Sequence, residues 1–223
     1  MNVDELVAID VHTHAERNVG VEQDPVTTDV LEAAAAYFGG SPPQPTAQEV
    51  ADYYRERRMA AVIFTVDDEA GMGRPRLGNA EVLEAAAANP DVLIPFASVD
   101  PHKGKLGVRE AREWVELGAR GFKFHPNTQA FWPNDRSFYP LYEVIAEAGL
   151  IALFHSGTTG IGAGMPGGGG VRLKFSNPMC VDDVAADFPE LDIILAHPSF
   201  PWQDEALAIA VHKIGRASCR ERV

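Results

Sequence analysis

Short apolar runs alternate along this chain with segments whose apolar residues recur at helical spacing. Six apolar runs predict strands, at residues 8–14, 60–66, 93–99, 121–125, 150–155 and 191–197. The helical patterns lie at residues 28–38, 46–58, 79–88, 108–117, 139–148, 183–188 and 204–213. The second of them opens with Thr46 and Glu49, the spacing of a capping box. Because the strands are almost continuously apolar, the pattern predicts a parallel sheet covered by helices.

Two architectures have this order of elements, a doubly wound open sheet and a (β/α)8 barrel. The first βα turn lacks the G-x-G-x-x-G pattern of dinucleotide-binding sheets, which weakens the case for the open sheet. Histidines at the carboxyl ends of the strands favour the barrel, because its strand ends meet at one mouth. We therefore predict an α/β fold, a TIM-type (β/α)8 barrel of which this chain holds about six βα units.

The composition narrows the classes of function that fit. The chain has 223 residues, 46% of them hydrophobic, which is enough for one sizeable core. Its formal net charge of -13 argues against binding to nucleic acid or to anionic membranes. Asp4 and Glu5 stand where a signal peptide would be basic and then apolar, and Cys180 and Cys219 are too few for a disulfide framework. We expect a cytoplasmic protein whose partner is a small-molecule substrate.

Five of the seven histidines stand at the ends of four predicted strands. His12 and His14 end the first strand, and because side chains alternate between the faces of a strand, both point the same way. His125, His155 and His197 end the fourth, fifth and sixth strands. Converging neutral imidazoles suit a divalent ion, so the sequence predicts a metal site. The alternative is that each histidine is a hydrogen-bonded residue of the rim.

Four motifs of this sequence are similar to those of a known family. They are D-V-H-T-H at 10–14, G-F-K-F-H-P at 121–126, A-L-F-H-S-G at 152–157 and L-A-H-P-S-F-P-W at 195–202. Over about residues 7–213 the chain resembles the amidohydrolase superfamily. Within it, the chain resembles the amidohydrolase-related subgroup, which contains aminocarboxymuconate semialdehyde decarboxylase, resorcylate decarboxylases and several hydrolases. At a finer level it resembles members labelled 4-hydroxyphenyl-β-ketoacyl-CoA hydrolase.

The resemblance implies a set of site residues. His12, His14 and His155 would bind one divalent metal ion, zinc in the first place and manganese as the alternative. His197 would be the catalytic base for the activated water, an orienting group, or a polariser of the substrate carbonyl. Members of the superfamily add an aspartate after the eighth strand, and this sequence has no matching run.

Four further residues are candidates for binding the substrate: Lys123, His125, Arg172 and Lys174. Lys123 lies two residues before His125 and therefore faces the same way. It could bind an anion, carry a carbamate that bridges a second metal, or pair with a carboxylate such as Asp10. Asp10 itself is expected on the face of His12, as an acceptor that orients that ligand. Arg172 and Lys174 follow a glycine-rich run and would meet an acidic or CoA-linked substrate, the alternative being surface cations.

The last ten residues break the repeating pattern. A further apolar strand should follow the helix at 204–213, but residues 214–223 hold three arginines and one of the two cysteines. We expect the native sequence to stop near Lys213. Residues 1–213 would then form an incomplete barrel domain and residues 214–223 a non-native tail, the alternative being a genuine basic tail.

The function that the resemblance implies is that of a metal-dependent hydrolase, which directs an activated water at a carbonyl-containing substrate, either aromatic or a β-ketoacyl-CoA. One alternative is a metal-dependent non-oxidative decarboxylase, a carboxy-lyase, because it uses the same ligands. Another is an inactive truncated fragment of such an enzyme. A cation near the metal would favour decarboxylation, and an apolar or glycine-lined slot would favour hydrolysis. We expect the intact parent enzyme to be a homo-oligomer.

Overall fold

Parallel strands and helices alternate along the chain in the computed structural model, which describes residues 1–17, 25–41, 43–73, 78–213 and 217–218. The strands are β1 (Ala8–His14), β2 (Met59–Phe64), β3 (Leu93–Pro95), β4 (Gly121–Phe124), β5 (Ile151–His155), β6 (Asp192–Ala196) and β7 (Ala217–Ser218). The helices are α1 (Pro25–Phe38), α2 (Ala47–Glu56), α3 (Glu69–Met72), α4 (Asn79–Ala88), α5 (Lys105–Glu116), α6 (Pro126–Gln129), α7 (Tyr139–Glu147), α8 (Met179–Asp187) and α9 (Gln203–His212). Among the described helices, none has the length and apolar character needed to cross a membrane.

The strands are paired in chain order, and every pair is parallel. One run consists of β1, β2 and β3, and the next of β4 to β7. The runs join just beyond β3, where Ala97 bridges to Phe122 of β4. Ala97 donates to the carbonyl of Gly121 at 2.9 Å and accepts from the amide of Lys123 at 2.7 Å. The described residues contain no pairing between β1 and the strands at the far end, so the sheet they form is open.

Successive side chains of the strands point alternately into an outer and an inner apolar layer. Ile63 of β2 belongs to the outer cluster, together with Val50 of α2. Its neighbour Val62 belongs to an inner cluster that also contains Leu153 of β5 and Ala196 of β6. Inner side chains of strands that are not neighbours can meet only if the sheet curves round on itself. The described strands therefore form the wall of a barrel, with their carboxyl ends at one mouth.

The predicted elements are confirmed, with bounds that agree to within four residues. The capping box of α2 is present: Glu49 N–H donates to Thr46 Oγ1 at 3.2 Å, and Thr46 N–H donates to Glu49 Oε2 at 2.7 Å. The third strand is shorter than predicted because it ends at Pro95, which has no N–H to donate. Beyond Pro95 the backbone bonds first to β2, where Phe96 N–H donates to Ile63 O at 2.9 Å, and then to β4 through Ala97.

The six βα units predicted from the sequence are present, and a two-residue strand follows them. This strand, β7, pairs with Ile194 and Leu195 of β6. This short strand lies where the repeating apolar pattern breaks, because a pairing of this kind needs only two extended residues and not an apolar run. Residues 214–216 and 219–223 lie outside the described residues. The non-native tail at 214–223 therefore stays a prediction, as does the domain boundary near Lys213.

Candidate metal centre

His12 and His14, at the end of β1, both lie on the inner face of the sheet. Their ring centroids are 5.1 Å apart and lie 5.3 and 4.7 Å from the ring of Phe64, an inner residue of β2. The prediction that the two imidazoles face the same way is confirmed. The prediction that Asp10 shares their face was wrong, because its carboxylate accepts a hydrogen bond of 2.5 Å from Tyr54 Oη of the outer helix α2.

His155 and His197 complete the group of imidazoles. His155 ends β5, and His197 directly follows β6. The ring of His197 lies 4.5 Å from the ring of His12 and 4.9 Å from the ring of His155, measured between centroids. His197 has a φ of 71°, in the left-handed region that residues with a side chain rarely adopt. Such a conformation at a strand end points to a constraint from function.

Burial is the main influence on the charge of these imidazoles. Removal from water lowers the pKa of His12 and of His155 well below the usual range of histidine. The positive charge of Lys123 lowers the pKa of both rings further. Both imidazoles are therefore neutral at pH 7, which is the form in which histidine binds a metal ion.

Lys123 of β4 lies among these rings. Its side chain is fully buried, and its Nζ is 2.9 Å from Nε2 of His12. The same Nζ lies 4.9 Å from the centroid of the Phe64 ring. If the amine donates this hydrogen bond, the proton of the neutral His12 ring is on Nδ1. Lys123 gives the centre a positive charge that an anionic group could balance.

His125, which follows β4, stacks on His155. The two rings are nearly parallel, at an angle of 8°, with centroids 3.9 Å apart. The turn that holds His125 is braced by Gln129: its Oε1 accepts from the His125 amide, and its Nε2 donates to Asp67 O, both at 2.8 Å. His125 therefore forms a supported side wall next to His155.

The cluster suits a divalent ion in the type of its donors and in the spacing of its rings. Imidazoles that share one ion through bonds of about 2 Å have ring centroids about 4.5 to 5 Å apart. The pairs His12–His14, His12–His197 and His155–His197 lie at 4.5 to 5.1 Å. Nε2 of His155 is buried and has no hydrogen-bond partner among the described residues, a defect that a metal bond would remove. No three His, Cys, Asp or Glu side chains of the described chain already converge on one point, so binding requires the rings to turn.

A cavity of about 450 Å³ lies beside His14 and His125 of this cluster. Its polar lining residues include His14, Thr65, Asp68 and His125. Its apolar lining comes mainly from α1 and from the loop after β5, and includes Val30, Leu31, Ala34, Phe38 and Ile161. Helix α1 therefore covers one side of the barrel mouth. A pocket of this size, with an apolar wall and a few polar groups, is typical of a site for a small molecule.

Two of the predicted substrate-binding residues are not brought to this cavity. Arg172 and Lys174 are exposed, and neither is among the residues that line it. Lys174 Nζ lies 5.2 Å from the centroid of the Trp132 ring, as in a cation–π contact. Lys123 and His125, in contrast, lie with the imidazoles. A role for Arg172 and Lys174 in substrate binding stays a prediction.

The glycine-rich loop that begins after His155 is closely packed at its start. Gly157 has a φ of 94°, and a Cβ there would lie 2.7 Å from the backbone of Ser199. Only glycine fits such an approach between two backbones. Further along, Gly160 and Ile161 line the cavity. The loop is thus part of the pocket wall.

Asp68 and Thr65 are functional candidates that the sequence reasoning missed. Asp68 is fully buried, and both residues line the cavity. The available signal was the polar T-V-D-D run at 65–68, directly after the apolar run of β2. The same criterion, polar residues at a strand end, had selected the histidines. No such signal marks α1 as part of the cavity lining, because its apolar residues also suit an ordinary core helix.

Comparison with known proteins shows the fold. No curated protein matches this chain. An uncharacterised TIM-barrel protein from Bordetella bronchiseptica is similar over 94% of this chain and 73% of that chain, with a TM-score of 0.70 and 19% identity. A 5-carboxyvanillate decarboxylase from Novosphingobium aromaticivorans, with bound manganese, is similar over 94% and 69%, with a TM-score of 0.56 and 16% identity. A probable 2-pyrone-4,6-dicarboxylic acid hydrolase from Acinetobacter baumannii is similar over 94% and 67%, with a TM-score of 0.55 and 13% identity.

At such identities the likeness establishes the TIM-barrel fold and leaves the reaction open. The family is established by sequence. The profile of the amidohydrolase family matches residues 9–218, which include His12, His14, His155 and His197. Because this match spans far more than half of the sequence, the chain belongs to the amidohydrolase family.

Proposed function

We propose that this chain is a metal-dependent hydrolase that directs water at the carbonyl group of a small-molecule substrate. The observation that carries the proposal is the gathering of imidazoles at the ends of β1, β5 and β6, with three pairs of ring centroids 4.5 to 5.1 Å apart. The buried Nε2 of His155, which has no hydrogen-bond partner among the described residues, adds to it. His12, His14 and His155 are the proposed ligands of one divalent ion. An ion bound there would polarise a carbonyl group as a Lewis acid and would activate water at neutral pH.

His197 is the proposed proton acceptor. Its ring is next to two proposed ligands, 4.5 Å from the ring of His12 and 4.9 Å from that of His155. A neutral imidazole in this position can take a proton from the attacking water through a ring nitrogen and return it to the leaving group.

The apolar lining of the cavity suits a substrate that is itself largely apolar. An aromatic ring or an acyl chain would bury its surface against Val30, Leu31 and Ile161. Among the described lining residues there is no lysine or arginine, whereas Glu16 and Asp68 bring carboxylates. A hydroxyl group of the substrate could donate to Asp68, while a carboxylate would be repelled. This supports the aromatic or β-ketoacyl-CoA substrates expected from the sequence, and it favours hydrolysis.

Non-oxidative decarboxylation is the second candidate, and Lys123 is the observation that favours it. The buried Nζ of this residue lies 2.9 Å from His12 Nε2, within the proposed metal centre. A lysine there could hold the carboxylate of a substrate until carbon dioxide leaves. The test between the two reactions is direct. Incubation with aromatic carboxylic acids releases carbon dioxide only if the decarboxylase proposal is right, and incubation with aryl esters or β-ketoacyl thioesters releases acid only if the hydrolase proposal is right.

Zinc is the proposed ion because the proposed ligands are three imidazoles, and manganese is the alternative. The purified chain is expected to bind one equivalent of metal, measured by mass spectrometry after dialysis. His155→Ala should lose the metal, because it removes a proposed ligand whose Nε2 has no hydrogen-bond partner in the described part of the chain. His212→Ala is the matched control, because His212 is an exposed histidine at the end of α9. Equal metal content in His155→Ala and the wild type would contradict the proposed ligand set.

A further inference from the structure

The pairing of β1 with β2 shifts by one residue in the middle of the strand. Asp10 pairs with Ala61 and Thr13 pairs with Ile63. Two residues of β1, Val11 and His12, therefore lie opposite a single residue of β2. An extra residue of this kind is a β-bulge, which is rare between parallel strands and changes the direction of the side chains that follow it.

This bulge decides which face the histidines occupy. Ala61 and Ile63 belong to the outer cluster of β2, so their partners Asp10 and Thr13 are on the outer face. In a regular strand Asp10, His12 and His14 would share one face, and both imidazoles would point toward the helices. The extra residue places His12 and His14 inside, where both contact Phe64.

Three hydrogen bonds hold the bulge in place. Asp10 Oδ1 accepts from the amide of His12 at 2.9 Å, and Asp10 Oδ2 accepts from Tyr54 Oη at 2.5 Å. Thr13 Oγ1 donates to the carbonyl of Val62 at 2.8 Å. A bulge interrupts the ladder, and backbone groups left out of it need other partners. Burial and the Asp10 carboxylate raise the pKa of Tyr54, so its hydroxyl stays protonated and remains a donor.

We propose that Asp10 and Tyr54 are positioning residues, which direct His12 into the metal centre by stabilising this bulge. The inference rests on the proposed metal-dependent function. Asp10 acts through the backbone of the ligand, from the opposite face of the strand. Tyr54 belongs to α2, so the packing of an outer helix contributes to the geometry of a site inside the barrel.

Two variants test the proposal, Tyr54→Phe and Asp10→Ala. Tyr54→Phe removes only a hydroxyl and keeps the ring that packs on the outer cluster. Tyr53→Phe is the matched control, because Tyr53 is the neighbouring residue of α2 and its exposed ring lies under Arg57. The first measurement is amide hydrogen exchange at His12, relative to exchange at the fully buried Leu153 of β5. The second is zinc affinity by titration calorimetry, with zinc alone as the probe.

In both test variants the amide of His12 should exchange about tenfold faster than in the wild type, relative to the amide of Leu153. Their zinc affinity should fall by about 10- to 100-fold, as for partners that orient a metal ligand. Tyr53→Phe should behave as the wild type. Unchanged relative exchange at His12 in Tyr54→Phe would overturn the proposal even if Asp10→Ala failed to fold. If the wild type bound neither zinc nor manganese, the proposed function would fail, and hydrogen exchange alone would decide whether these residues hold the bulge.

Discussion

At the scale of single residues, His197 differs from the other imidazoles in how the backbone presents it. His197 and Ser199 have φ values of 71° and 64°, where a residue with a side chain is disfavoured by about 1–2 kcal/mol. The turn is tied to the neighbouring strand end by a hydrogen bond of 2.7 Å between the hydroxyls of Ser156 and Ser199. The position of His197 therefore depends on this turn and not on the alternation of a strand.

We predict that His197→Gln keeps the metal and loses turnover. Glutamine retains polar atoms near the ring position but is a poor proton acceptor, so hydrolysis of aryl esters should fall by about 10²- to 10⁴-fold. Metal content, measured by mass spectrometry, should stay at the wild-type level. Loss of the metal together with activity would instead identify His197 as a ligand.

At the scale of elements, α1 is attached to the barrel mouth through few contacts. Val30 is the one residue of this helix that is buried, and the phenyl ring of Phe38 approaches Gly160 of the loop after β5. The apolar side chains of α1 thus face a cavity instead of a packed core. Since the helix supplies none of the proposed metal ligands, it can control the size of the substrate without changing the metal centre.

We predict that Ala34→Phe raises the KM for bulky substrates by about tenfold or more, because the ring would fill the cavity that Ala34 lines. Metal content should not change. Ala36→Phe, an exposed position on the same helix, is the control and should have the KM of the wild type. A KM that responded equally to both variants would show that α1 does not border the substrate site. Initial rates with aryl esters of increasing size provide the measurement.

At the scale of the whole molecule, folding buries imidazoles in their neutral form. The pKa values of His12 and His155 are lowered in the folded chain, from an ordinary value of 6.5. The unfolded chain therefore binds protons below about pH 6.5 that the folded chain does not bind. Acidification below about pH 6.5 should therefore lower the free energy of unfolding. Above that pH these two histidines are neutral in both states and do not change it.

We predict that, with metal removed by a chelator, the free energy of unfolding falls as the pH drops below about 6.5. The slope should approach about 1.4 kcal/mol per pH unit for each of the two histidines. Urea denaturation at a series of pH values from about 8 to about 5 measures it. His155→Ala should show about half of this slope, and His212→Ala the full slope. A stability that stayed constant over this range would contradict neutral burial of the two rings.

Much of the fold was accessible from the pattern of apolar residues. The run at 191–197 and the helical pattern at 79–88 correspond closely to β6 and α4, because burial between helices demands apolar strands and one apolar helix face. The strand-end rule also selected His12, His14, His155 and His197. It could not place Arg172 and Lys174, because residues in a long loop have no periodicity that sets their direction.

The sequence by itself determined the order of six βα units, the strand ends and the histidines on them, since these follow from local periodicity and burial. Only the tertiary structure decided which face each side chain occupies and which strand ends meet. A one-residue bulge in β1 reverses which face the side chains after it occupy, and an alternating pattern of apolar residues does not predict such a bulge. Likewise, Lys123 approaches His12 and α1 covers the cavity only because the sheet curves and brings distant segments together. Those contacts are long-range, and local sequence carries no information about them.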